Sequence, residues 1–136
     1  MSSSVDAHVK AIAKGLREAD LILTTGGTSM GSSDLVKPVV ERRFEGTIHF
    51  GRVSMKPGKP TTFASIPVTV PQGDSKAGER KYLFGLPGNP ASALVTFHVF
   101  VVPALRKLGG WPVERCHLPR VKVQVGPLPA FLSVTS

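Results

Sequence analysis

The feature that most limits what this chain can fold into is a short apolar run, Leu21-Ile22-Leu23-Thr24-Thr25, ending on Gly26-Gly27. The run is too short for a helix and reads as a strand buried on both faces. Ahead of it, Val5, Val9, Ile12, Ala13 and Leu16 recur at helical spacing and predict an amphipathic helix over 4–18, N-capped by Ser4. Gly15 weakens that helix by about 1 kcal/mol relative to alanine. Behind the glycines, Leu35, Val36, Val39 and Val40 predict the inner stripe of a second helix, from about Ser33 to Arg43, with Pro38 near its first turn. A strand set between two helices, each with one face to cover, implies a layered α/β arrangement.

Further along, strands are predicted at Thr47–Val53, Thr61–Val70 and Lys81–Leu86, with the polar stretch Gln72–Glu79 as an exposed hairpin loop. Asn89-Pro90 opens a long helix, asparagine at the N-cap and proline at N1, where its missing N–H costs nothing. Ala93, Leu94, Phe97, Phe100, Val101, Leu105 and Leu108 make that helix apolar nearly all round, which predicts burial. Pro103 should kink it, and Gly109 should end it. The composition then shifts to Pro112, Pro119, Pro127 and Pro129 around a lone strand-like run, Val121–Val125. The expected division is one α/β domain over 1–117 and, from 118 to 136, the opening of a β-domain that is mostly absent.

The 136 residues suffice for one sizeable core, and the 41% hydrophobic fraction argues against disorder. The net charge of +8 favours anionic partners. The basic residues are scattered rather than striped and lack interleaved aromatics, which argues against nucleic acid. A single cysteine, Cys116, excludes an intramolecular disulfide framework and fits a reducing compartment. No apolar leader opens the chain, and the apolar stretch Ala91–Leu105 is shorter than the roughly 20 residues of a span. The expectation is a cytoplasmic chain with no membrane span.

Segments rich in Gly, Pro, Ser and Lys fall at strand ends. Gly26-Gly27-Thr28-Ser29-Met30-Gly31-Ser32-Ser33-Asp34 joins a strand to a helix N-terminus, where free N–H groups and the helix dipole suit phosphate. Ser32 stands where a Walker A motif needs lysine, so an NTPase loop is not supported. Met55-Lys56-Pro57-Gly58-Lys59-Pro60 would hold two ammonium groups near each other, a repulsion that an anion relieves. In Leu86-Pro87-Gly88-Asn89-Pro90-Ala91-Ser92, capping explains Asn89, but not the small residues that leave room for a ligand against the backbone.

In this order and spacing, with His49-Phe50-Gly51-Arg52-Val53 between the first two, the motifs closely resemble the molybdopterin-binding subdomain of the molybdenum insertases. That family includes bacterial MoeA and the E domain of animal gephyrin. The resemblance spans about residues 5 to 110. It implies a three-layer α/β/α fold of MoaB/Mog-like type with a mostly parallel sheet, lacking here its first strand and helix. It also implies insertion of molybdate into adenylylated molybdopterin with Mg2+, by a chain that is a homodimer in complete family proteins. By the same resemblance, Gly26, Gly27, Thr28, Ser29 and Gly31 would cradle the phosphate side of the pterin. Asp34 would hold the divalent cation or order water. Lys56 and Lys59 would receive molybdate in a loop shaped by Pro60, with Gly88, Asn89 and Ser92 completing the floor.

Two other readings share these residues. One is a scaffold of gephyrin type without catalysis. The other is the related adenylyltransferase branch, whose glycine motif usually has glycine where Ser29 stands. Of the remaining candidates, His98 reads as a satisfied core histidine, His49 as a strand residue and His117 as a linker residue. One cysteine and no His-x-x-x-His pair give no protein-made zinc site.

Overall fold

A computed structural model describes residues 4–27, 34–68, 78–122 and 126. The amphipathic helix α1 runs Ser4–Glu18, with Ile12 buried at its centre. Gly15, unfavourable in a helix, has a packing reason: a Cβ there would meet Ile22 Cδ1 at 3.0 Å, so glycine lets α1 lie close on the first strand. That strand, β1, is Leu21–Thr25; it ends the described sheet and leaves Leu23 42% exposed, so the expected burial on both faces is not observed. Helix α2 spans Val36–Phe44, so Pro38 is its third residue, and Ser33 lies outside the described residues. Left-handed Glu45 (φ 52°) ends α2, and the Gly46 N–H returns to Val40 O at 2.9 Å.

Strands β2 (Thr47–Phe50), β3 (Thr62–Pro67) and β4 (Arg80–Leu86) complete a four-stranded sheet of order β1-β4-β3-β2. Only β1 and β4 pair in parallel; β3–β4 and β2–β3 are antiparallel. The sheet is therefore mixed rather than mostly parallel. Parallel neighbours need a crossover connection, usually a helix, and no helix lies among the described residues between β2 and β3 or between β3 and β4. The hairpin loop expected at Gln72–Glu79 lies largely outside the described residues, but Val68 N–H donates to Glu79 O at 3.1 Å beside it. Strand β2 stops short of the expected Val53 because the chain turns into a loop closed by Val53 N–H on Lys59 O, 2.8 Å.

Alternating strand residues feed two cores, one on each face. On the first, Ile12, Val36, Val39 and Val40 pack on Ala64, Ile66 and Leu83. On the second, Phe84, Leu86 and Val101 pack with Phe50, Phe63, Phe97, Phe100 and Ala104. This is the expected three-layer α/β/α arrangement.

The second outer layer is the long helix. It is continuous over the 19 residues Pro90–Leu108 and comprises α3 (Pro90–Thr96), a π-helical turn (Phe97–Val101) and α4 (Val102–Leu108). The expected kink takes the form of that wide turn, in which Val102 N–H reaches back to Phe97 O. A proline ring collides with the carbonyl four residues earlier, and widening the turn just before Pro103 relieves this.

The expected burial of this helix is corrected. Leu94 is 62% exposed, Leu108 51% and Leu105 45%. All-round apolarity reports the helix surface, whereas burial depends on what lies against it, and the sheet covers only one side. His98 is likewise exposed rather than in the core, its Nδ1 2.9 Å from Leu94 O. The length argument against a membrane span also fails, since the run is long and apolar enough to qualify on those two grounds. Its inner side nevertheless packs on the sheet through Phe97, Phe100 and Val101. A short helix α5 (Val113–Cys116) comes next, with Cys116 buried. Most of the strand expected at Val121–Val125 falls outside the described residues, and Val121 and Lys122 are exposed without regular structure.

Candidate functional site

The topology brings the three motif segments to one end of the sheet. Because β1 and β4 are parallel neighbours, Thr25 pairs with Leu86, and the turns after them lie side by side. The backbones are close enough that a Cβ on Gly88 would sit 3.4 Å from Gly26 Cα. The antiparallel β3 starts at the same end, with Thr62 opposite Gly85, which places the Lys56–Pro60 loop there too. That loop rests on the helix opened by the third motif. A side chain on Gly58 (φ 111°) would strike Thr96, which is fully buried. Thr61 fastens the loop from below, its Oγ1 and N–H both donating to Gly58 O. The Lys56–Pro57 peptide bond is cis.

In the first turn, Gly26 and Gly27 have φ of 79° and 66°, a region that glycine enters freely. Some backbone donors here are already engaged. Gly26 N–H donates to Leu86 O at 3.1 Å, and Leu35 and Val36 N–H both reach Gly27 O, at 3.1 and 3.4 Å. The opening amides of α2 are thus held by the turn itself. Thr28, Ser29 and Gly31 lie outside the described residues. Asp34 ends the segment. Its Oδ2 pairs with Lys37 Nζ at 2.9 Å, while its Oδ1 is buried with no partner among the described residues. In the third motif, Asn89 caps α3 by accepting from Ser92 N–H at 3.2 Å, and Pro90 occupies the first turn as expected.

The Lys56–Pro60 segment lines an open cavity of about 1040 Å³ together with Arg52, Val53, Ser54 and Met55. Among the described residues, Arg52, Lys56 and Lys59 all lie on it, no carboxylate does, and none of the three forms an ion pair. Unpaired cations around a concavity favour an oxyanion. Among the described residues, no group of three or more His, Cys, Asp and Glu could by itself hold a metal. A Mg2+ ion does not require one, since it keeps several waters and binds through one or two carboxylates plus substrate phosphates. The orphaned Asp34 Oδ1 fits that role as a single protein ligand.

These motifs meet at one place, and the family comparison agrees with them. A model described as a probable molybdopterin binding domain matches residues 3–107. The chain belongs to that family.

Relatives extend the match. The chain is 50% identical to gephyrin of Dictyostelium discoideum, over 80% of this chain and 16% of that protein. It is 41% identical to the molybdenum cofactor synthesis protein cinnamon of Drosophila melanogaster, over 92% of this chain and 19% of that protein. To a molybdopterin molybdenumtransferase of Haemophilus influenzae it is 40% identical, over 74% of this chain and 22% of that protein. The chain thus spans 16–22% of the length of these relatives.

Three residues beside this candidate site were not singled out by sequence reasoning. Arg52 stood inside the quoted His49–Val53 run, directly upstream of the lysine loop, and its position was the available signal. His8 touches the first turn: its Nε2 lies 3.2 Å from where a Cβ on Gly27 would stand, while its Nδ1 lies 2.8 Å from Ser4 O. Its place at the edge of the apolar stripe of α1, three after Val5 and four before Ile12, was a signal of sorts. Lys37 stood three residues after Asp34, a spacing at which helical side chains meet.

Proposed function

We propose that this chain is the molybdopterin-binding portion of a molybdenum insertase, receiving adenylylated molybdopterin and molybdate in the cofactor's biosynthesis. The observation that carries the reading is that the three motif segments come to one end of the sheet, where the second of them lines a cavity with Arg52, Lys56 and Lys59, none in an ion pair among the described residues. Molybdate is an oxyanion, and these side chains supply fixed positive charge without a competing carboxylate. The phosphate side of the pterin is assigned to the glycine turn of Gly26, Gly27, Thr28, Ser29 and Gly31, where the Gly26 N–H is already spent on Leu86 O. Gly88, Asn89 and Ser92 form the adjoining floor, and Pro60 fixes the loop that carries Lys59.

Asp34 has two separate oxygens in this scheme. Oδ2 is neutralised by Lys37, and Oδ1 is left for a Mg2+ ion or an ordered water beside the adenylyl phosphate. A bound Mg2+ would supply positive charge to those phosphate oxygens. The chain's own residues bind and orient: lysines and arginine on the oxyanion, backbone on the phosphate, Asp34 on the cation. The complete protein acts as a cytoplasmic homodimer in this reading.

The test is an anaerobic titration of the purified, cooperatively folded chain with adenylylated molybdopterin, and separately with molybdate. Saturable binding of both is expected, with molybdate affinity lost in a Lys56→Ala/Lys59→Ala variant and pterin affinity retained. A folded chain that binds neither ligand rejects the reading.

A further inference from the structure

We infer that Lys37 is a positioning residue for Asp34, tying the glycine turn to the turn that leads into the cationic loop. The inference rests on the reading of Asp34 as a group that faces a cation. Lys37 lies in the first turn of α2, and its side chain reaches in two directions at once. Its Nζ holds Asp34 Oδ2 at 2.9 Å, with the two side chains 28% and 14% exposed. Its stem lies across the bare backbone of Gly51, where an added Cβ would strike Cε and sit 3.1 Å from Cδ and 3.2 Å from Nζ. Gly51 directly precedes Arg52, one of the cations on the cavity. One lysine therefore contacts the end of the first motif and the approach to the second.

A carboxylate just ahead of a helix would otherwise rotate and solvate both oxygens. With Oδ2 fixed by an ammonium, the plane of the carboxylate is set and Oδ1 is held in its buried position, where no other described group takes it up. The arrangement also gives Gly51 a role. It has no positive φ to demand glycine, so what glycine provides here is room for the lysine stem.

This geometry makes two unrelated substitutions equivalent. Lys37→Met removes the ammonium. Gly51→Ala leaves Lys37 in place but pushes its flexible end away from Asp34, at no cost in backbone strain. The experiment measures Mn2+ binding to the intact chain saturated with adenylylated molybdopterin, whose phosphates supply the remaining ligands, by electron paramagnetic resonance, with thermal unfolding as a check that each variant is folded.

Both variants are expected to bind Mn2+ about fivefold more weakly, the scale of one partly exposed ion pair. Lys37→Arg should restore binding to within about twofold by supplying the same charge-assisted bond. Asp34→Asn should abolish it. If Lys37 acted through charge alone, Lys37→Met would tighten Mn2+ binding and Gly51→Ala would leave it unchanged, and that pattern overturns the inference. Mn2+ binding insensitive to both variants overturns it too, while leaving the cation role of Asp34 intact. Absence of Mn2+ binding by the wild-type chain rejects the cation role itself, and the role of Lys37 with it.

Discussion

The two faces of the sheet are covered by helices of different apolar content, and they end differently. On the α1–α2 face, Ile12, Val36, Val39 and Val40 are all at or below 2% exposure, and the polar sides of the helices face solvent. On the other face, Val101 is fully buried, while Leu94, Val95, Val99, Leu105 and Leu108 stand 38–62% exposed on the same helix. The first helix pair is amphipathic and finished. The second has its inner side satisfied and a wide apolar outer side, with exposed Trp111 and Val113 just beyond its end. Contiguous exposed apolar surface of this kind marks contact with other protein more often than it marks a solvent face. An apolar pattern therefore says how much surface a helix can bury, and the neighbouring layer decides how much it does.

The most disruptive test of this contrast is Val40→Asp. A carboxylate forced among Ile12, Val39 and Ile66, with no partner, should cost more than about 4 kcal/mol and abolish cooperative unfolding. Retention of a normal denaturation curve would mean that the α1–α2 face is not the main core. Next come paired substitutions of one type, Val40→Ala and Val101→Ala. Both side chains are fully buried, so each should lower stability by roughly 2 kcal/mol in urea titrations despite lying on opposite faces. A much smaller loss at Val101 would show that the long helix is only loosely attached.

A smaller effect is expected at the start of that helix. Asn89→Ala removes the side chain that accepts Ser92 N–H and should cost about 1 kcal/mol in the same titration. Smallest of all, Leu94→Ser and Leu105→Ser on the outer face should shift stability by no more than about 0.5 kcal/mol each. The same pair should reduce self-association in sedimentation velocity. A large stability loss from either serine would erase the distinction between the faces.

Where local chemistry decides structure, the residues announced it. The stripe Val5, Val9, Ile12, Leu16 predicted α1 with the bounds observed, and Asn89-Pro90 marked its helix start because capping and a missing N–H are properties of the dipeptide itself. Strand direction was less legible, since an apolar run such as Thr62–Pro67 looks the same read upward or downward in a sheet. The connection lengths carried that information, and they pointed to hairpins. The motif loops were visible as glycine, proline and lysine clusters, and their convergence is a consequence of strand order. The pairing of Lys37 with Gly51 was not visible, because a glycine that makes room for another residue's side chain has no local signature. The engagement of Gly26, Leu35 and Val36 amides within the turn was hidden for the same reason: the partners come from tertiary geometry.

The wide turn at Phe97–Val101 also bears on how the length of this segment can vary. A π turn is an α turn that has absorbed one additional residue while the flanking segments keep their faces. Deleting one residue there, together with Pro103→Ala to remove the ring, should leave Ala104 packed against the core of Phe84 and Leu86, as it stands now. The same deletion within α3 would turn every later side chain by about 100° and carry Ala104 off the sheet. The helix thus carries one built-in position at which the gene can lose a codon without rearranging the C-terminal end of the helix.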